Sequence, residues 1–207
     1  MDQHNPFAAP QVALVDAQVP QQLPGWNAGQ LRILGWLNLV YLFANLVVLG
    51  LAFVEDLLTL GDWLSAATTL LGCYLILRLK AFLQARFAAR GLDWPVWLSI
   101  LLSVALELTQ LYWGDSALTE YSVPSFTYFG LLALLGLTML WLGIMLLKVE
   151  NAYPALRVLA WLNMAGGVLA ASIILLVVAV LPMLAAMVAT ALLFFRGAAE
   201  LAGREAA

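Results

Sequence analysis

Apolar residues in this chain come in long unbroken runs rather than in alternation, and short charged segments divide the runs. They cover about 31–53, 60–77, 96–113, 126–147, 156–179 and 181–195. A helix of roughly 20 residues crosses a hydrocarbon core of about 30 Å, and continuous runs select helices over barrel strands, which alternate. The last two runs merge into about forty apolar residues, too many for one helix even when tilted. Pro182 is the expected first-turn residue of a sixth helix, because its missing N–H costs nothing there. The pattern therefore predicts an all-α, polytopic membrane protein of six transmembrane helices, with five spans and a long re-entrant end as the alternative. Residues 1–29 are expected as a flexible tail, 30–199 as the membrane domain and 200–207 as a C-terminal tail.

Composition agrees with this reading: of 207 residues, 64% are hydrophobic and 10% charged, against about 25% charged in soluble domains. Mean hydropathy is +0.96. Residues 1–30 hold no basic segment followed by an apolar stretch, so no cleavable signal peptide is expected. Charge changes the picture more than composition does. With six spans, all nine Lys and Arg, including Arg78, Lys80, Arg86 and Arg90 of the stretch 78–90, fall on one side. The other side carries Glu55, Asp56, Asp62, Asp115 and Glu120 instead. The positive-inside rule then puts both termini in the cytoplasm. Trp36, Trp94, Trp97 and Trp161 fall near the cytoplasmic boundary and Trp63 and Trp113 near the outer one, as an aromatic belt requires.

The first segment holds Pro6, Pro10, Pro20 and Pro24 and no Lys or Arg. Such a composition buries too little apolar surface to offset its ordering entropy. Within it, Asn5-Pro6-Phe7-Ala8-Ala9-Pro10 resembles the N-P-[FY]-x-x-P opening of many small bacterial inner-membrane proteins that have no assigned chemistry. The resemblance implies that location and no activity. The hexapeptide reads either as a docking peptide for a partner or as a solvated tail with an Asx-Pro turn.

Residues 31–38, Leu-Arg-Ile-Leu-Gly-Trp-Leu-Asn, and 156–163, Leu-Arg-Val-Leu-Ala-Trp-Leu-Asn, match at six of eight positions. Arg, Trp and Asn in register carry the match, since leucine matches are cheap here. A more divergent third copy is 92–99, Leu-Asp-Trp-Pro-Val-Trp-Leu-Ser, with Asp93 for the Arg and Ser99 for the Asn. Each copy stands where an odd-numbered helix begins. The expectation is three related helical hairpins about an axis along the membrane normal; the alternative is that the signature arose independently as an interfacial anchor.

Glu107 is the ionisable residue well inside a predicted span, and Ser99, Ser103, Glu107 and Gln110 share one face of the third helix. A mid-helix carboxylate costs roughly 2.5–3.5 kcal/mol on insertion scales and marks a function or a partner. Its distance from Trp113, near 9 Å, lets it reach towards headgroups or water. Two readings remain open. Glu107, Ser103 and Gln110 with Asn38, Tyr41 and Asn45 of the first helix form a proton- or cation-coupling site, or Asn38, Asn45, Asn163 and Glu107 are interhelical glue, each contributing about 0.6–2 kcal/mol. Arg78, Lys80, Arg86 and Arg90 are the candidate contacts for lipid headgroups, at about 1 kcal/mol per cation, although they scatter around the helical wheel.

The one histidine, His4, lies in the tail, and no G-x-S-x-G, H-E-x-x-H or P-loop spacing occurs, which speaks against an enzyme and calls for no metal or cofactor. The single Cys73 allows no intramolecular disulfide. Nucleic-acid binding has no support either. The sequence thus points to an integral inner-membrane protein acting through helix packing with itself, as a homo-oligomer, or with a membrane-protein partner. The competing reading is a small secondary transporter or channel using Glu107.

Overall fold

A computed structural model describes residues 25–114 and 122–205. The hexapeptide 5–10, Asp115 and Glu120 lie outside the described residues. Six helices follow in order: α1 (Ala28–Leu51), α2 (Leu58–Phe87), α3 (Asp93–Trp113), α4 (Val123–Leu147), α5 (Pro154–Ala171) and α6 (Leu176–Glu205), with a short 3-10 turn at Glu55–Leu57 before α2. All six are long and apolar enough to cross a membrane, and the chain is an all-α, multi-pass membrane protein.

Each helix packs on its neighbours in sequence, and α1 also packs on α6, which closes the six into a ring. Short connections force neighbours to run antiparallel. The starts of α1, α3 and α5 and the ends of α2, α4 and α6 therefore share one end of the bundle, the end that carries the basic residues. Local chemistry sets the boundaries there. Asn27 caps α1 by accepting from the Gln30 N–H at 2.7 Å, Pro154 opens α5, and α2 stops where Ala88 turns left-handed at φ 48°.

Three expected boundaries need correction. The second helix does not end with its apolar run at residue 77: α2 runs on through the basic stretch 78–90 as far as Phe87. Nor does the sixth helix begin at Pro182. The chain turns at Ser172–Leu175, and Pro182 lies inside α6. Ser172 organises that turn, its hydroxyl donating to the Leu169 carbonyl at 2.7 Å and accepting from the Leu175 N–H at 3.3 Å. Ile173 takes φ 58°, a conformation unfavourable for a β-branched side chain. Helix α6 also continues through the segment expected as a C-terminal tail, to Glu205, and buries Leu201 there.

The basic end is the densest part of the core. Leu31, Phe82, Leu83, Leu146, Leu156, Leu193 and Phe194 are all fully buried around it, with Phe82 in ring contact with Trp26, Phe87 and Phe194. Arg86 pairs with Glu200 at 2.6 Å, and the Tyr153 hydroxyl donates to the same carboxylate. The clasp joins α2, α6 and the start of α5. Burial, and then the Glu200 contact, pushes the Tyr153 hydroxyl above the usual tyrosine range, so it stays a donor well past neutral pH.

The three eight-residue segments that resemble one another occupy equivalent environments. Along 31–38 and 156–163 the positions read buried, exposed, exposed, buried, buried, exposed, half-buried, buried, and 92–99 differs only in a slightly more exposed Leu98. Trp36, Trp97 and Trp161 are 63%, 55% and 61% exposed, where lipid would lie, whereas Asn38, Ser99 and Asn163 are 3%, 6% and 8% exposed and face inwards. Asp93 can replace an arginine because that position points outwards in all three copies.

Candidate functional site

The ring encloses a cavity of about 320 Å³ to which all six helices contribute. Its polar wall comes from Asn38, Tyr41 and Asn45 of α1, Thr69 and Cys73 of α2, Ser99 and Ser103 of α3, Asn163 of α5 and Thr190 of α6. Leucines, Ile76, Ile100, Gly72, Ala186 and the methionines Met139, Met183 and Met187 supply the rest. Among the described residues that line it, none is charged. At its basic end the wall passes through Leu79, Leu146 and Leu159 into the closed core.

Much of the polar lining bonds to its own helix. Asn38 Nδ2 donates to the Leu34 carbonyl, Asn45 Nδ2 to that of Tyr41 and Asn163 Nδ2 to that of Leu159, each at 2.8 Å. Ser99 and Thr190 likewise donate to the carbonyls of Pro95 and Ala186, at 2.7 and 2.8 Å. These i−4 bonds spend donors on the helix's own backbone. Each amide keeps its oxygen and a second N–H, and Tyr41 and Ser103 keep their hydroxyls, so the wall offers both acceptors and donors to the cavity. The three asparagines therefore do not bond across helices, and the glue expected of them is not what their amides do.

Glu107 stands apart. It is absent from the cavity wall and sits in the seam between α2 and α3, where its Oε2 accepts from Ser65 Oγ at 3.0 Å and Thr69 Oγ1 at 2.8 Å. Its Oε1 is buried without a hydrogen-bond partner. Of the residues expected to share a site, the structure brings Asn38, Tyr41, Asn45 and Ser103 to one cavity and leaves Glu107 and Gln110 outside it. Thr69 belongs to both places, lining the cavity while donating to Glu107. The sequence reading missed Ser65, Thr69 and Thr190. Asp62, Ser65, Thr69 and Cys73, spaced by three, four and four, were the available signal on α2.

Gly72 matters for Tyr41. A Cβ at Gly72 would stand 2.6 Å from the Tyr41 hydroxyl, so the missing side chain seats that hydroxyl against α2. The four cations of α2 and the turn after it divide. Arg86 is clasped to Glu200 and Lys80 pairs with Asp93, Arg78 lies over the Trp26 ring at 4.3 Å, and Arg90 is exposed. No protein-family model, no curated protein and no solved structure matches this chain.

Proposed function

We propose that this chain is a small carrier of the bacterial inner membrane that holds a small amphipathic solute, one bearing N–H or O–H donors, in the cavity at the centre of its helix ring. The observation that carries the reading is the cavity wall itself, contributed by all six helices and set with amide and hydroxyl groups among apolar ones. Its volume is at the small end of ligand pockets, which span about 300–1,000 Å³. An apolar wall with a few oriented polar groups suits an alcohol or amine on a short hydrocarbon body. Three related hairpins about a central polar site are also a way in which carriers are built. The positive-inside rule places the basic end and both termini in the cytoplasm. On that orientation the dense core closes the cytoplasmic side, and solute reaches the cavity from the outer side.

Cys73 provides the test, because the lone cysteine of the chain lines the cavity. In right-side-out vesicles a small maleimide labels Cys73, a membrane-impermeant cationic thiosulfonate reaches it from outside, and short-chain amines or alcohols slow both reactions. A thiol that reacts only after denaturation overturns the cavity reading. Labelling by the impermeant reagent in inside-out vesicles alone overturns the orientation.

A further inference from the structure

We infer that Glu107 is the proton-carrying group of this carrier, reached from the outer end along the α2–α3 seam and linked to the cavity through the Thr69 hydroxyl. The inference rests on the cavity reading above. Its starting point is an asymmetry between two oxygens of one carboxyl group. Oε2 takes both available hydroxyl donors, from Ser65 and Thr69, while Oε1 is buried and takes none. A carboxylate spreads its charge over both oxygens and needs donors at each. A neutral carboxylic acid does not, because its carbonyl oxygen accepts and its hydroxyl oxygen carries the proton. A neutral acid with its carbonyl at Oε2 keeps both hydroxyl bonds and leaves at Oε1 an O–H rather than a share of a charge, at a smaller desolvation cost. No Lys or Arg among the described residues pairs with it, and an unpaired charge this far inside a membrane is costly.

The surroundings give that proton a route. Asp62 lies three residues outward of Ser65 on the same face of α2, and Gln110 three residues outward of Glu107 on α3. Both stripes run towards the end of the bundle opposite the basic one. The α2–α3 seam is also the least extensive of the six contacts in the ring, so water can enter it with the least loss of packing. From α4, the Tyr128 hydroxyl is within electrostatic reach of Glu107. A metal ion is the poorer occupant. Hard cations take about six or more oxygens, and this seam offers one carboxyl group and two hydroxyls.

Thr69 carries the link. When Glu107 is neutral, its hold on the Thr69 hydroxyl is that of an ordinary hydrogen bond, and the hydroxyl can turn to an acceptor on a solute. When Glu107 is ionised, the bond becomes charge-assisted, about twice as strong, and withholds that donor from the cavity. Protonation outside and release elsewhere thereby change what the cavity wall offers.

The test uses the full chain in proteoliposomes and a membrane-soluble fluorescent carbodiimide, which reacts with protonated carboxyl groups. Glu107 is expected to be labelled, and Glu107→Gln is expected to take no label. Alkylating Cys73 is expected to change the labelling several-fold. Thr69→Val is expected to abolish that dependence and Thr69→Ser to restore it. Absence of labelling at every pH, while Cys73 still reacts with maleimide, overturns the proton assignment and leaves the cavity reading standing. Labelling suppressed by Na⁺ but not by choline overturns it in favour of a metal ion. Labelling indifferent to Cys73 alkylation overturns the link through Thr69. An inert Cys73 is the distinct failure of the cavity reading itself.

Discussion

The ring is closed by unlike seams, and α4–α5 and α2–α3 are its extremes. In the first, backbone meets backbone. A Cβ at Gly136 would stand 2.6 Å from the Ala171 nitrogen and 2.7 Å from the Gly167 oxygen, and one at Gly167 would stand 2.5 Å from the Gly136 oxygen. Gly143 makes a similar approach to the Ala160 carbonyl, at 2.7 Å. Without a hydrophobic driving force between helices in lipid, such close contact through small residues is what gives a seam its strength. In the second seam, contact runs through side chains instead: the Ser65 and Thr69 hydroxyls on Glu107, and Lys80 on Asp93. Interhelical hydrogen bonds of this kind average about 0.6 kcal/mol in membranes. One seam is therefore held by backbone approach and the other by side-chain bonds, and Glu107 lies in the second.

Substitutions can break this contrast, and their effects are graded. Gly167→Leu forces a side chain into the backbone of α4, where no flexible group can give way, and is expected to lower stability by about 3 kcal/mol, at the upper part of the overpacking range. Denaturation in mixed detergent micelles reads it. A stability within error of the parent would mean that α4–α5 is no tighter than its neighbours. Arg86→Ala releases the anchor of α2 on α6 and is expected to cost about 2 kcal/mol, short of the roughly 3–5 kcal/mol of a fully buried pair because Tyr153 still donates to Glu200. The same variant should loosen α2 along its length, seen as faster Cys73 alkylation; unchanged alkylation would show that α2 is held elsewhere. Asp93→Asn removes the ion pair with Lys80 at the basic end of the second seam. That carboxylate is exposed, so no measurable change in denaturation is expected, and a loss comparable to that of Arg86→Ala would contradict the loose character of the seam.

Much of the cavity was legible in advance. Asn38, Tyr41, Asn45 and Ser103 were identified from helical spacing, and they share one wall because spacings of three and four fix a helix face whatever the neighbours do. Glu107 was singled out from its position in an apolar run, but its company was not. Nothing in the order of residues says that the face carrying Glu107 turns to Ser65 and Thr69 rather than to Asn38. The same holds for the asparagines, whose amides have a backbone carbonyl one turn away as an alternative to a partner across the bundle. The break after α5 escaped for a different reason. Breaker signals are read from Gly, Pro and polar clusters, and the turn at Ser172–Leu175 is apolar in three of its four residues, so Pro182 drew the boundary to itself.

The sequence by itself determined the number of spans, the segregation of every cation to one end and the three similar helix starts, because each depends on local composition in a medium that penalises charge. Tertiary structure alone decided that α6 closes back onto α1, which seam is tight, and that one threonine stands between a carboxyl group and a cavity. Those depend on how far each helix rotates about its axis and how closely two backbones approach. Such quantities are set by all six helices packing at once, and no single apolar run encodes them.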